Sequence, residues 1–139
     1  MEALRFHYVI DGGSFSSAGE ASVEMKKMLR QIGIPNGVIR RCSIAMYEGE
    51  INMVIHADGG VADVEVYPDR IVMTLEDHGP GIPNVELAMK EGYSTATEQI
   101  HNMGFGAGMG LPNMKRSSDE LTIETEVGVG TKITMIVNL

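Results

Sequence analysis

The strongest constraint on the fold is a strand pattern that is polar on one side only. In the segment Leu121 to Val127, Leu121, Ile123 and Val127 face one way, while Thr122, Glu124 and Glu126 face the other. Val61 to Tyr67 repeats the pattern, with Val64 and Val66 opposite Asp63 and Glu65. Strands of this kind build a sheet that helices cover on one face and water wets on the other. A doubly wound parallel sheet would show nearly continuous apolar runs instead. The expectation is an α/β two-layer sandwich: a mixed, mostly antiparallel sheet with helices on one face.

The remaining elements fit between these strands. Leu4 to Ile10 reads as a first strand, ended by Asp11-Gly12-Gly13. Ser17-Ala18-Gly19-Glu20 has capping-box spacing and predicts the start of a helix. Ala21, Met25, Met28, Leu29 and Ile32 continue it as an apolar stripe, and Gly33 with Pro35 ends it. A second helix is expected from about Asn36 to Ala57, closed by Asp58-Gly59-Gly60. Val61 to Tyr67 and Ile71 to Asp77 read as a hairpin turning at Pro68-Asp69. Between Gly79 and Gly110 the periodicity is lost and glycine accumulates, and a short helix is expected after Gly110. Leu121 to Val127 and Thr131 to Val137 form a closing pair joined by Gly128-Val129-Gly130. With no repeat or linker in its 139 residues, the chain reads as one domain, 1–139.

Charge and cysteine content narrow the function. A formal net charge of −8 disfavours direct binding to nucleic acid or anionic lipid, since both need clustered Lys and Arg. The single cysteine, Cys42, excludes an internal disulfide framework and fits a reducing compartment. No run approaches a membrane span, and Met1 to Asp11 has no signal-peptide pattern, so a cytoplasmic location is expected. The 11 methionines read as core fillers.

Several polar residues break the local pattern. Asp77 falls on the face of Ile71, Met73 and Leu75, so it either turns a carboxylate toward the helix layer or lies just past the strand end in water. Thr131 shares a face with Ile133, Met135 and Val137, either as a site residue or as a satisfied hydroxyl in the hairpin. On the second helix, Glu48, Asn52 and His56 are four apart and form one line. Glu48 suits a general base, and Asn52 offers a hard oxygen for Mg2+; a solvated helix face is the alternative. His56 has no metal-ligand companion at known spacing and reads as structural.

Glycine carries the next signal. Asp77-His78-Gly79-Pro80-Gly81 is followed by Gly104-Phe105-Gly106-Ala107-Gly108-Met109-Gly110, then by Leu111 and the cations Lys115 and Arg116. Alternating glycines let backbone amides approach a phosphate, and a helix starting after them aims its positive end at the same anion; a flexible loop is the alternative. There is no Gly-Lys-Ser/Thr ending, so the segment is not a P-loop, and the third glycine of a Rossmann fingerprint is missing.

Taken in order, these features resemble the histidine-kinase-like ATPase superfamily. Glu48-Gly49-Glu50-Ile51-Asn52 is similar to its N box, Asp77 to Gly81 to its first glycine box, Gly104 to Leu111 to its second, and Gly130-Thr131 to its terminal G-T element. The likeness covers essentially the whole chain. Its short length and the stretch Gly108 to Arg116 look most like bacterial anti-sigma-factor and stressosome switch kinases. The resemblance implies a Bergerat ATP-binding fold, with ATP and Mg2+ as cofactors. It implies that Asp77 accepts a hydrogen bond from the adenine amino group near Thr131, and that Asn52 holds Mg2+ against the phosphates. Glu48 would be the base toward a substrate hydroxyl. Gly106, Gly108 and Gly110 would cradle phosphates, with Gly79, Gly81, Gly104, Met109, Leu111 and Lys115 completing the nucleotide site. Residues 82–103 would form a lid.

The implied activity is serine/threonine kinase action on a STAS-domain partner, resembling an anti-sigma antagonist. Two other functions remain open: nucleotide-dependent sequestration of a sigma factor, and a detached histidine-kinase catalytic domain. Homodimerisation is also compatible with the chain. Gly49 departs from expectation, because glycine inside a helix costs about 1 kcal/mol relative to alanine. His78 occupies a variable position with no implied role.

Overall fold

The computed structural model describes residues 3–12, 18–90 and 110–139. The one-sided strand pattern becomes a five-stranded sheet in the order β1-β2-β3-β5-β4, built from β1 (Leu4–Asp11), β2 (Gly59–Val66), β3 (Arg70–Asp77), β4 (Glu120–Glu126) and β5 (Gly130–Asn138). All four pairings are antiparallel, so among the described residues the sheet has no parallel component. Helices α1 (Glu20–Gln31), α2 (Asn36–His56) and α4 (Gly110–Ser117) pack together and bury the sheet's apolar face, and a single turn, α3 (Val85–Ala88), follows β3. No helix among the described residues is long and apolar enough to cross a membrane.

The alternation seen in sequence sets the core. Ala62, Val64 and Val66 on β2, Ile71, Met73 and Leu75 on β3, and Ile133, Met135 and Val137 on β5 are all buried. They meet Met25 and Leu29 from α1, Cys42, Met46 and Met53 from α2, and Met114 from α4. Six of these fifteen named side chains are methionines, which form a flexible thioether filling, the role anticipated for them. Burial pushes the Cys42 thiol up to about 12, which keeps it protonated and inert. On the wet face, His7 meets Asp63 at 2.6 Å and Arg5 meets Glu65 at 3.4 Å across the β1–β2 register. These exposed pairs contribute little to stability.

Two local expectations change. Val127 lies beyond β4, 65% exposed, so it does not share the inward face of Leu121 and Ile123; Thr125 takes the third place in that row. The capping box also fails. The residue capping α1 is Gly19, at φ 100°, and Glu20 is the first helical residue rather than the third. The α1 amides find their acceptor elsewhere, on α2.

That acceptor is Glu50. Its Oε2 accepts from the backbone N–H of Gly19 at 2.9 Å and of Ala21 at 3.2 Å, and its Oε1 from Ser22 N–H at 3.0 Å and the Ser22 hydroxyl at 2.8 Å. Glu50 is only 3% exposed. A buried carboxylate needs such compensation, and the positive end of a helix supplies it. Gly49, beside it, explains its own presence. A Cβ there would lie 2.5 Å from Leu75 Cδ2 and 3.6 Å from Met114 Sδ, so glycine lets α2 settle directly onto β3 and α4.

Candidate functional site

Helix α2 carries the site along its length. Its line of Glu48, Asn52 and His56 runs toward Ala57, the residue that caps its C-terminus. Ala57 touches the first glycine segment: a Cβ on Gly79 would lie 2.6 Å from Ala57 Cβ and 3.3 Å from Asp77 Oδ1. The Asp77 carboxylate therefore stands next to the end of α2. Asn52 lies about 7.5 Å back along the helix axis and Glu48 about 13.5 Å back, at 1.5 Å per residue.

Asp77 is half-buried, as its core-facing place in β3 suggested. It is paired in register with Thr131. Its Oδ1 accepts from Gly79 N–H at 2.9 Å and Thr131 N–H at 3.2 Å. Among the described residues Oδ2 accepts no hydrogen bond, so one oxygen is fixed by the backbone and the other is open to a ligand donor. The Thr131 hydroxyl lies 2.9 Å from the Thr125 hydroxyl, which also accepts from Ile82 N–H at 2.8 Å. This small polar network ties the chain after the first glycine box to the β4–β5 hairpin. Gly81 belongs to the same join: its φ is +79°, and a Cβ would lie 2.5 Å from the Glu126 carbonyl oxygen. Gly79 and Gly81 thus shape the walls around Asp77 through close backbone approach.

Asn52 is half-buried and its carboxamide makes no hydrogen bond among the described residues. It packs on the start of α4, where a Cβ on Gly110 would be 3.0 Å from Asn52 Oδ1. An unpaired amide oxygen at the N-terminus of a helix that follows a glycine run suits a ligand carrying both a cation and an anion. No group of three or more His, Cys, Asp or Glu among the described residues could hold a metal by itself. A Mg2+ at Asn52 would draw its other ligands from phosphate and water.

Glu48 is also half-buried. Burial pushes its carboxyl above the ordinary value, and a hydrogen bond from the Asn113 side chain partly opposes the rise. Asn113 is itself oriented, because its Oδ1 accepts from Arg116 Nη2 at 2.8 Å and so leaves its N–H2 to serve Glu48. A desolvated carboxylate with an elevated pKa is the character expected of a general base. Burial also holds the His56 imidazole below its usual value and favours its neutral form.

The other sequence candidates divide. Leu111 is 6% exposed and sits in the hydrophobic core. Lys115 is exposed on the last turn of α4, where it complements the helix dipole. Gly104, Gly106, Gly108 and Met109, with most of the expected lid, lie outside the described residues. Three contributors went unnoticed in the sequence: Glu50, Asn113 and Thr125. Glu50 had a visible signal. It lies on the buried line of Cys42 and Met46, four residues apart, where an apolar side chain would be expected.

A family model described as "Histidine kinase-, DNA gyrase B-, and HSP90-like ATPase" matches residues 37–139. The chain is similar to the serine/threonine-protein kinase RsbT of Bacillus subtilis, 30% identical over 115 residues that cover 80% of each chain. It is similar to the anti-sigma F factor of Clostridium beijerinckii, 29% identical over 119 residues covering 81% of this chain and 80% of that one. Its fold matches, with a TM-score of 0.65 and 16% identity, a crystal structure of the RsbU and RsbW domains of a Mycobacterium tuberculosis protein, covering 96% of this chain and 32% of that longer chain.

Proposed function

The chain belongs to the histidine kinase-, DNA gyrase B- and HSP90-like ATPase family, and from that premise we propose that it is an ATP-dependent protein serine/threonine kinase that acts in the cytoplasm on a STAS-domain partner. The observation that carries the reading is the pair of residues one turn apart on α2. Glu48 is desolvated and raised in pKa, and Asn52 has an amide with no other hydrogen-bond partner among the described residues.

The order of the groups beside α2 supports this reading. Asp77 offers an open oxygen to the adenine amino group. Asn52, which packs on the start of α4 at Gly110, would hold Mg2+ through its amide oxygen, and the amides at that helix N-terminus would receive the phosphates. Gly104, Gly106 and Gly108 would extend that cradle. When bound, Mg-ATP supplies the transferable phosphoryl group. Glu48 takes the proton from the acceptor Ser or Thr hydroxyl. This leaves that oxygen to form the new P–O bond as the bond to the departing ADP breaks. Asn113 holds the Glu48 carboxylate in place while it does so.

Intact-mass measurement of a candidate STAS partner after incubation with Mg-ATP tests the reading. Wild type should add one phosphate, and Glu48→Gln should slow transfer by about 10²–10⁴-fold, the usual worth of a general base, while nucleotide binding is retained. Full transfer by Glu48→Gln would sink the assignment. A second reading, nucleotide-controlled sequestration of a sigma factor, draws on the similarity to proteins named anti-sigma F factor. Tight nucleotide binding with no transfer to any partner would favour it.

A further inference from the structure

Between α1 and α2 lies an open groove of about 840 Å3 that the nucleotide reading does not use. Three of the large apolar side chains that the described surface leaves in water gather in its lining: Val23 at 53%, Ile44 at 39% and Tyr47 at 39%. Glu20 and Glu24 join Glu48 in the same lining, against one ammonium among the described lining residues, from Lys26. Glu24 also meets Lys27 at 3.7 Å, an exposed contact that screens it only in part.

Glu48 makes the groove more than an apolar patch. Ile44, Glu48 and Asn52 are four residues apart, so they follow one another along one line of α2. Glu48 lines the groove and Asn52 does not; Asn52 is one turn further along α2, against Gly110 at the start of α4. A base in a phosphoryl transfer has to reach the acceptor hydroxyl while that oxygen stands next to the phosphorus it attacks. If the phosphates are at Asn52, the acceptor comes from the groove. The α1 wall is rigidly placed for this, because Glu50, two residues from the base, grips the Gly19, Ala21 and Ser22 amides.

We propose that this groove docks the acceptor segment of the protein substrate, and that the segment carries an apolar anchor and a Lys or Arg beside its Ser or Thr. The inference rests on the kinase reading above and adds to it the chemistry of the segment. The anchor covers Val23, Ile44 and Tyr47. The cation answers the excess of carboxylates along the rim, so it steers and orders the segment as it enters.

Two synthetic peptides test it, each with a central Ser beside Leu, one flanked by Arg and the other by Glu. Binding is read by fluorescence anisotropy with a non-hydrolysable ATP analogue and Mg2+, and phosphate transfer by intact mass with Mg-ATP. The Arg peptide should bind about tenfold tighter than the Glu peptide. Ile44→Lys, which removes an exposed apolar contact and adds a like charge, should abolish that preference, and Glu24→Lys should shift it toward the Glu peptide. Both side chains are exposed, and a thermal melt verifies that the variants fold. Equal affinities, no binding of either peptide, or indifference to Ile44→Lys would overturn the groove. Groove-dependent binding without phosphate transfer would leave the groove standing and remove the kinase reading. Transfer indifferent to the groove variants would do the reverse.

Discussion

Two carboxylates stand two residues apart on α2, and their surroundings differ in every respect. Glu50 turns to α1, is almost wholly buried, and has four donors on its two oxygens. Glu48 turns to the groove and α4, is half-buried, and has the Asn113 side chain as its hydrogen-bond donor among the described residues. The same residue type is a structural strut in one place and, on the proposed function, a base in the other. Saturation of the lone pairs decides which. A carboxylate with every donor supplied has nothing left for a substrate. One that is desolvated and under-supplied holds its proton more readily than an ordinary carboxyl and keeps lone pairs for a substrate.

The largest effect should come from breaking the strut. Glu50→Gln keeps the shape but turns an amide group toward backbone N–H donors, and should cost about 3 kcal/mol, measured by urea unfolding. A loss well under about 1 kcal/mol would mean that α1 does not depend on this contact. Next comes the residue between them. Gly49→Ala gains helix propensity but forces a methyl against Leu75 in a packed core, and a net loss of about 1–2 kcal/mol is expected in the same assay.

Smaller effects sharpen the Glu48 side of the comparison. Glu48 has a raised pKa in the folded protein, so its contribution to stability is present below the unfolded carboxyl value and is lost as pH rises through the folded value. Glu48→Gln removes that loss. Thermal melts should therefore show the variant gaining on wild type as pH rises from acid toward neutral. The gentlest probe is Asn113→Ala, which removes the hydrogen bond that opposes the rise. The acid limb of the pH–rate profile should move up relative to wild type. An unchanged limb would detach Asn113 from the base.

The same contrast explains what could be read from the sequence. The strand faces were legible because alternation is local: Val64, Val66, Met73 and Met135 are buried where the period of two puts them. Asp77 and Thr131 were legible as exceptions to that alternation, and the structure brings them together at 3.2 Å. Glu48 and Asn52 were legible as a line because helical spacing is local too. The Glu50 contact was not, since its donors lie 28 to 31 residues away and only tertiary packing joins them. The capping box at Ser17 to Glu20 misled for the same reason: a local signal was overridden by a remote acceptor that moved the helix start to Gly19. Gly49 looked like a defect until the neighbour that requires it, Leu75, came from another element.

The remote cap has a consequence in time. During synthesis α1 emerges before the residue that completes its first turn, so its N-terminal amides stay without their acceptor until α2 has formed and docked. The start of α1 cannot mature as an independent helix; it does so as part of a helix pair. In the finished protein, the Ala21 and Ser22 amide hydrogens should exchange with solvent at the rate at which the two helices separate, not at the faster rate at which a lone helix end frays.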